Sequence, residues 1–275
     1  MKNLLMIMLI LSPGLARQIF AQGDLLVSPV RIVFEGNKQK EEINLVNTGN
    51  DSATYSISFL QYNMTEEGNF VLVEKPEDGQ MFADPYLRVF PRKVTLAPRE
   101  AQVVRLQLRR KPDMAAGEYR SHLYFRAEKE TKPLGLDASE KDPKLMSVQI
   151  TPIFGISIPV IIRTGEVKLA VTLSDLKIEM QQDTIANLKF VMNRTGNISA
   201  YGDIVVEYIP AKGNPVEIGL VRGVAVYTST NKRNFSIILN NKKGMALSTG
   251  KLRVRFSSPK DSPYVLYAEK EVVMN

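Results

Sequence analysis

The chain contains no cysteine, no tryptophan and one histidine, His122. Without cysteine there is no disulfide framework and no thiolate metal site, and a single histidine cannot build a multi-histidine metal centre. A Ser-His-Asp triad would depend wholly on His122, and no positioned nucleophile accompanies it. Within GEYRSHLYF the histidine reads as a packed or exposed strand position. A GxSxG elbow, a phosphate-binding glycine loop and a dinucleotide fingerprint are all missing. Adjacent carboxylates, Glu41-Glu42 and Glu66-Glu67, fall in polar turns or strand edges, where water accounts for them. These absences argue against an enzyme and call for no cofactor and no metal.

Helical periodicity is scarce too, beyond a short turn expected at Asp113–Ala116. The 275 residues carry a net charge of +7, but Lys and Arg are spread along the chain. Arg109-Arg110-Lys111 is the one dense basic run, with no basic helix face and no aromatic platform beside it, so nucleic acid is not the expected partner. Residues 1–21 read as an export signal: Lys2, an apolar core from Leu4 to Leu11, a break at Pro13-Gly14, and Ala21 before the cut. That core is shorter than the roughly 20 residues a membrane-spanning helix needs. No later segment comes close, so the expectation is a periplasmic protein that does not span the membrane.

What the chain has in abundance is short alternating runs. Leu25–Phe34, Glu42–Asn47, Ala53–Tyr62, Phe70–Glu74, Leu87–Phe90, Lys93–Leu96, Gln102–Leu108 and Glu118–Ala127 are separated by Gly, Asn, Asp and Pro turns. This is the signature of a β-sandwich. A second series follows: Lys168–Thr172, Ile185–Met192, Asp203–Tyr208, Val224–Tyr227, Asn234–Leu239, Leu252–Phe256 and Val265–Val273. The turn Thr48-Gly49-Asn50-Asp51-Ser52-Ala53 is echoed by Thr195-Gly196-Asn197-Ile198-Ser199-Ala200, each after an apolar run and each before a tyrosine. Two sandwich domains, 22–163 and 164–275, are the economical reading.

One run does not fit an ordinary strand. From Met146 to Ile162 every even position is apolar, and no charged side chain occurs between 145 and 162. Pro152 and Pro159 each remove a ladder donor, which belongs at a sheet edge. A long, uncharged edge is an aggregation hazard unless it serves to pair with another chain; two consecutive core strands kinked at a proline satisfy the periodicity equally well. Ahead of it, Glu128–Lys144 is a charged loop with Pro133, Gly135 and Pro143.

Several segments together resemble the periplasmic pilus-assembly chaperones, and most closely their divergent branches. They are Ser28-Pro29-Val30-Arg31-Ile32-Val33-Phe34-Glu35-Gly36, then Ile43-Asn44-Leu45-Val46-Asn47, and Phe90-Pro91-Arg92-Lys93-Val94-Thr95-Leu96-Ala97-Pro98 with Gln102, Val104, Arg105 and Leu106 after it. The resemblance implies an all-β chain of two immunoglobulin-like sandwiches in an L shape with a cleft between them. It implies pilin-like subunits as clients, capped by donor-strand complementation and delivered for surface assembly, with an outer-membrane usher as an optional further partner. The client-pairing strand would present Val148, Ile150, Pro152, Phe154, Ile156 and Ile158, with the choice of client-facing side left open. Arg31 falls on the family's cleft arginine, which grips the client's terminal carboxylate. The family's partner lysine has no counterpart near Ser157 to Pro159; Arg120 or His122 from a neighbouring strand are the substitutes, and Arg163 matches a basic residue at the domain junction. The rival reading is a structural or adhesive sandwich subunit of an extracellular assembly.

Overall fold

Where apolar and polar residues alternate, an extended chain can bury one row of side chains and keep the other wet, so such segments pair as strands. The computed structural model describes residues 24–128, 153–181, 185–240 and 249–274. The first half comprises β1 (Leu25–Ser28), β2 (Ile32–Phe34), β3 (Lys40–Asn47), β4 (Ala53–Leu60), β5 (Tyr62–Met64), β6 (Phe70–Leu72), β7 (Leu87–Phe90), β8 (Lys93–Leu96), β9 (Ala101–Leu108), β10 (Gly117–Ala127) and β11 (Gly155–Thr164). Sheet β1-β3-β9-β7 packs on sheet β2-β11-β10-β4-β8, and β5–β6 stands apart as a hairpin. The first core lies between the two sheets. Leu25, Ile43, Leu45 and Leu106 enter it from one side, and Phe34, Leu96, Leu123, Phe125 and Val160 from the other.

The second half comprises β12 (Leu169–Gln181), β13 (Ile185–Gly196), β14 (Ala200–Ile209), β15 (Val216–Val226), β16 (Lys232–Ile238), β17 (Lys251–Ser257) and β18 (Leu266–Val273). Sheet β12-β13-β16 faces sheet β15-β14-β17-β18 over a separate core that includes Leu188, Phe190, Met192, Ile204, Val206, Val254 and Phe256. The molecule is thus all-β, built of two immunoglobulin-like sandwiches.

The echoed turns occupy corresponding places, β3 to β4 and β13 to β14. Gly196 sits at φ +105, and a Cβ there would run into the Lys168 carbonyl, so this turn requires glycine. The turn expected at Asp113–Ala116 falls at 112–113, closed by the Met114 N–H on the Lys111 carbonyl at 3.4 Å, and the one 3-10 turn among the described residues is Asp84–Tyr86, with Pro85 in its first turn. The strand expected at Val224–Tyr227 is an eleven-residue strand, β15. Gly219, Arg222 and Gly223 interrupt its apolar pattern, and bulges opposite it in β14 upset strict alternation. The signal at 1–21, the loop at 129–144, and Val148, Ile150 and Pro152 lie outside the described residues.

Candidate functional site

β10 is buried on both faces, and the two faces do different things. Its odd positions, Tyr119, Leu123 and Phe125, enter the first core. Its even positions, Glu118, Arg120 and His122, are buried as well, and they meet the second sandwich: Glu118 and Arg120 bond Ser199, and His122 bonds Tyr227. A polar row hidden from water needs partners, and the Glu118 carboxylate is the hub. It accepts from Arg120 Nη2 at 2.6 Å, Arg163 Nε at 3.3 Å, and both the backbone N–H and the hydroxyl of Ser199 at 3.1 and 2.8 Å. The Ser199 hydroxyl also accepts from Arg120 Nη2 at 2.7 Å. Burial alone would raise the Glu118 carboxyl, but Arg120, Arg163 and these bonds outweigh it and hold it at about 2.

Positive charge remains in excess. Arg31, Arg120 and Arg163 share Glu118, and the half-open Glu35 reaches Arg163 at 3.5 Å. Arg120 is 4% exposed, yet its Nε and Nη1 have no hydrogen-bond partner; its guanidinium lies over the Tyr227 ring, 3.8 Å from the centroid. Arg31, set just ahead of β2, stacks over Tyr201 of β14 at 4.0 Å and has no hydrogen bond or ion pair among the described residues. Burial and the neighbouring Arg120 lower its guanidinium to about 10. His122 donates to or accepts from the Tyr227 hydroxyl through Nε2 at 3.0 Å, while Nδ1 has no partner. Burial first, then Arg120 and Arg31, push it down to about 3, so it is neutral at physiological pH. A guanidinium whose donors are unfilled in a desolvated cleft is a receptor for a planar anion such as a carboxylate.

Arg31, Arg120, His122 and Tyr227 line a cavity of about 370 Å³, together with Val30, Tyr62, Phe70, Ser157, Pro159 and Tyr201. β11 runs along its wall. One edge of β11 pairs with β10 over its length, from Gly155 opposite Arg126 to Thr164 opposite Gly117. The other edge pairs with β2 only at Val160–Ile162. From Gly155 to Pro159 that edge has no strand beside it among the described residues, and no charge guards it.

The structure brings Arg31, Arg120, His122 and Arg163 into one junction. Arg163 spends its donors on Glu118 and Glu35, so it braces the hub. The face of β11 is a correction: Ile158 is 2% exposed and Ile156 packs against the same core, so these side chains fill the protein's own sandwich. Phe154, 46% exposed, has its side chain in the open. Sequence reading missed Glu118, Ser199, Tyr62, Phe70, Tyr201 and Tyr227. The signal for Glu118 was present, since Glu-x-Arg-x-His in GEYRSHLYF places three polar groups on one strand face. The aromatic partners come from the hairpin and the second sandwich, and only the tertiary arrangement unites them.

No family model and no curated protein matches the sequence. Among solved structures, the chain is similar to a chaperone–tip adhesin complex of CFA/I fimbriae biogenesis, with 15% identity over 91% of this chain and 98% of that one, at a TM-score of 0.44. It is also similar to a chaperone–tip subunit pre-assembly complex from archaic chaperone–usher Csu pili of Acinetobacter baumannii. The identity is 12% over 89% and 98% of the two chains, at a TM-score of 0.46. For the CupB2 chaperone of Pseudomonas aeruginosa the figures are 11%, 91% and 100%, at a TM-score of 0.41.

Proposed function

We propose that this protein is a non-enzymatic periplasmic chaperone that caps incomplete, pilin-like β-sandwich subunits by strand addition and delivers them for surface assembly. One observation carries the reading: an uncharged strand edge, Gly155–Pro159, with no strand beside it among the described residues, leads into a cleft lined by the guanidinium groups of Arg31 and Arg120, of which Arg120 leaves Nε and Nη1 without a hydrogen bond. A client strand added to that edge gains main-chain hydrogen bonds, and its free carboxylate ends against Arg31 and Arg120. Arg120, reaching across from β10, then takes the place of the lysine that the resemblance leads one to expect on the long strand. Strand pairing and apolar burial drive capture without nucleotide or metal. The reading includes removal of residues 1–21 on export and domains spanning 22–163 and 164–275; an outer-membrane usher is an optional recipient.

The test is calorimetric titration with a ten-residue alternating apolar peptide in free-acid and amidated forms. The free acid should bind at least tenfold tighter, since a hydrogen bond to a charged group contributes about 1.5–3 kcal/mol. Arg31→Ala and Arg120→Ala should erase the difference. Equal affinity for both forms in the native protein would overturn the carboxylate anchor.

A further inference from the structure

The cavity has more to offer than charge. Phe70 of the β5–β6 hairpin is 55% exposed, and it stands 5.5 Å from Tyr227 and 5.9 Å from Tyr62 between ring centroids. Tyr62 in turn meets His122 edge-on at 4.9 Å. With Val30 and Pro159 these rings form an apolar wall beside the cations Arg31 and Arg120. The wall is fixed in place, because the hairpin is tied to the second sandwich: Asn234 N–H donates to the Glu66 carbonyl at 2.7 Å and the Thr230 hydroxyl to the Met64 carbonyl. The hairpin's tip is Thr65-Glu66-Glu67-Gly68-Asn69, and the exposed phenylalanine directly after it borders the cavity, where an apolar occupant would cover it.

We infer that the cleft selects the last side chain of its client: the captured chain ends in a large apolar or aromatic residue, which packs against Phe70, Tyr62 and Tyr227 while its carboxylate is held at Arg31 and Arg120. This rests on the carboxylate-anchor reading above and names the class of client that the same site prefers. The charge fits one occupant, a chain terminus, because Arg31, which has no hydrogen bond or ion pair among the described residues, and Arg120 line the same cavity as the rings. A terminal glycine or serine satisfies the arginines and leaves the wall uncovered. Covering a large apolar side chain corresponds to tenfold or more in affinity, at about 1.5–3 kcal/mol for full burial.

The experiment is a titration series with one peptide body ending in Phe, Leu, Ser or Gly, each as free acid and amide. Three proteins are compared: native, Phe70→Ala and Leu72→Ala. Both substituted side chains are exposed on the hairpin, so neither change removes core, and Leu72 does not line the cavity. The Phe- and Leu-ended acids should bind about tenfold tighter than the Gly-ended acid. Phe70→Ala should reduce that ratio to about two, and Leu72→Ala should leave it intact. Equal affinity for all four acids, or a ratio that survives Phe70→Ala, would overturn the inference while leaving the anchor standing, provided amidation still weakens binding. Loss of discrimination between acids and amides would overturn the anchor itself. Should sedimentation show that Phe70→Ala acts only by dissociating a self-dimer, Phe70 belongs to a contact between copies and the inference falls.

Discussion

Two arginine settings in this molecule make opposite uses of the same group. Arg194, 2% exposed at the end of β13, fills every donor. Its Nε reaches the Thr230 carbonyl at 3.2 Å, Nη1 reaches those of Gly196 and Ile198 at 2.8 and 3.0 Å, and Nη2 reaches the Thr228 carbonyl at 2.8 Å and Asn231 Oδ1 at 3.2 Å. In the cleft, Arg120 leaves Nε and Nη1 without a hydrogen bond, part-buried Arg31 has no hydrogen bond among the described residues, and each rests on a tyrosine ring. Burial of a polar group is tolerated when its hydrogen bonds are complete. Arg194 is therefore a structural clasp. The cleft pair carries an unmet demand for an acceptor, and that demand is what marks the site.

Removing the clasp should have the largest effect on folding. Arg194→Ala strips the end of β13 and two turns of their shared donor and should cost about 3–5 kcal/mol in urea unfolding; a loss under 1 kcal/mol would erase the contrast. Glu118→Gln keeps the shape of the hub but leaves the buried Arg120 and the part-buried Arg31 and Arg163 around a neutral amide, a loss of about 3 kcal/mol. Because the folded Glu118 carboxyl lies at about 2, below its ordinary value, its contribution is present above about pH 4.5 and fades as the pH falls towards 2. The Glu118→Gln difference should shrink over that window.

His122 gives a smaller and differently placed effect. It is the single histidine, so stability changes between about pH 6.5 and 5 report mainly on it. Held neutral in the fold, it binds its proton only in the unfolded chain. Stability should therefore fall by up to about 1.4 kcal/mol for each pH unit below 6.5. His122→Gln should flatten that slope in pH-stepped denaturation, and an unchanged slope would show that the ring is not held neutral. Arg31→Ala should have the least effect on stability, within about 1 kcal/mol, because it breaks no ion pair or hydrogen bond among the described residues, while removing the preference for a free carboxylate.

The sandwiches were legible because period-two alternation and Gly, Asn and Pro turns are local signals. The echoed turn was legible too, and Asn47 and Arg194 occupy corresponding places before it. Asn47 Nδ2 reaches the Asp51, Leu96 and Ala97 carbonyls at 2.7 to 3.1 Å much as Arg194 gathers its own, so the two echoed turns are held by two different residue types. Arg31 was found through resemblance, and its burial against Tyr201 required the second sandwich. The facing of β11 was not legible: every even position from 146 to 162 is apolar, and the pattern is the same whether those side chains fill their own core or another chain's. Only packing distinguishes the two, and it assigns Ile158, Val160 and Ile162 inward. Ile161 shows the converse. It points away from that core yet is fully buried, because β10 and β2 flank it at Arg120 and Val33 under the junction.

The central claim is that the open edge of β11 receives a client strand whose end lies in the arginine cleft. Amide hydrogen exchange of the intact protein, read residue by residue with and without the free-acid peptide, tests it most directly. Exchange at Gly155–Ile158 should slow by about a hundredfold or more at those amides that face away from β10, with no such change in β13 or β17. Binding of the peptide without protection of that segment would contradict strand addition at β11.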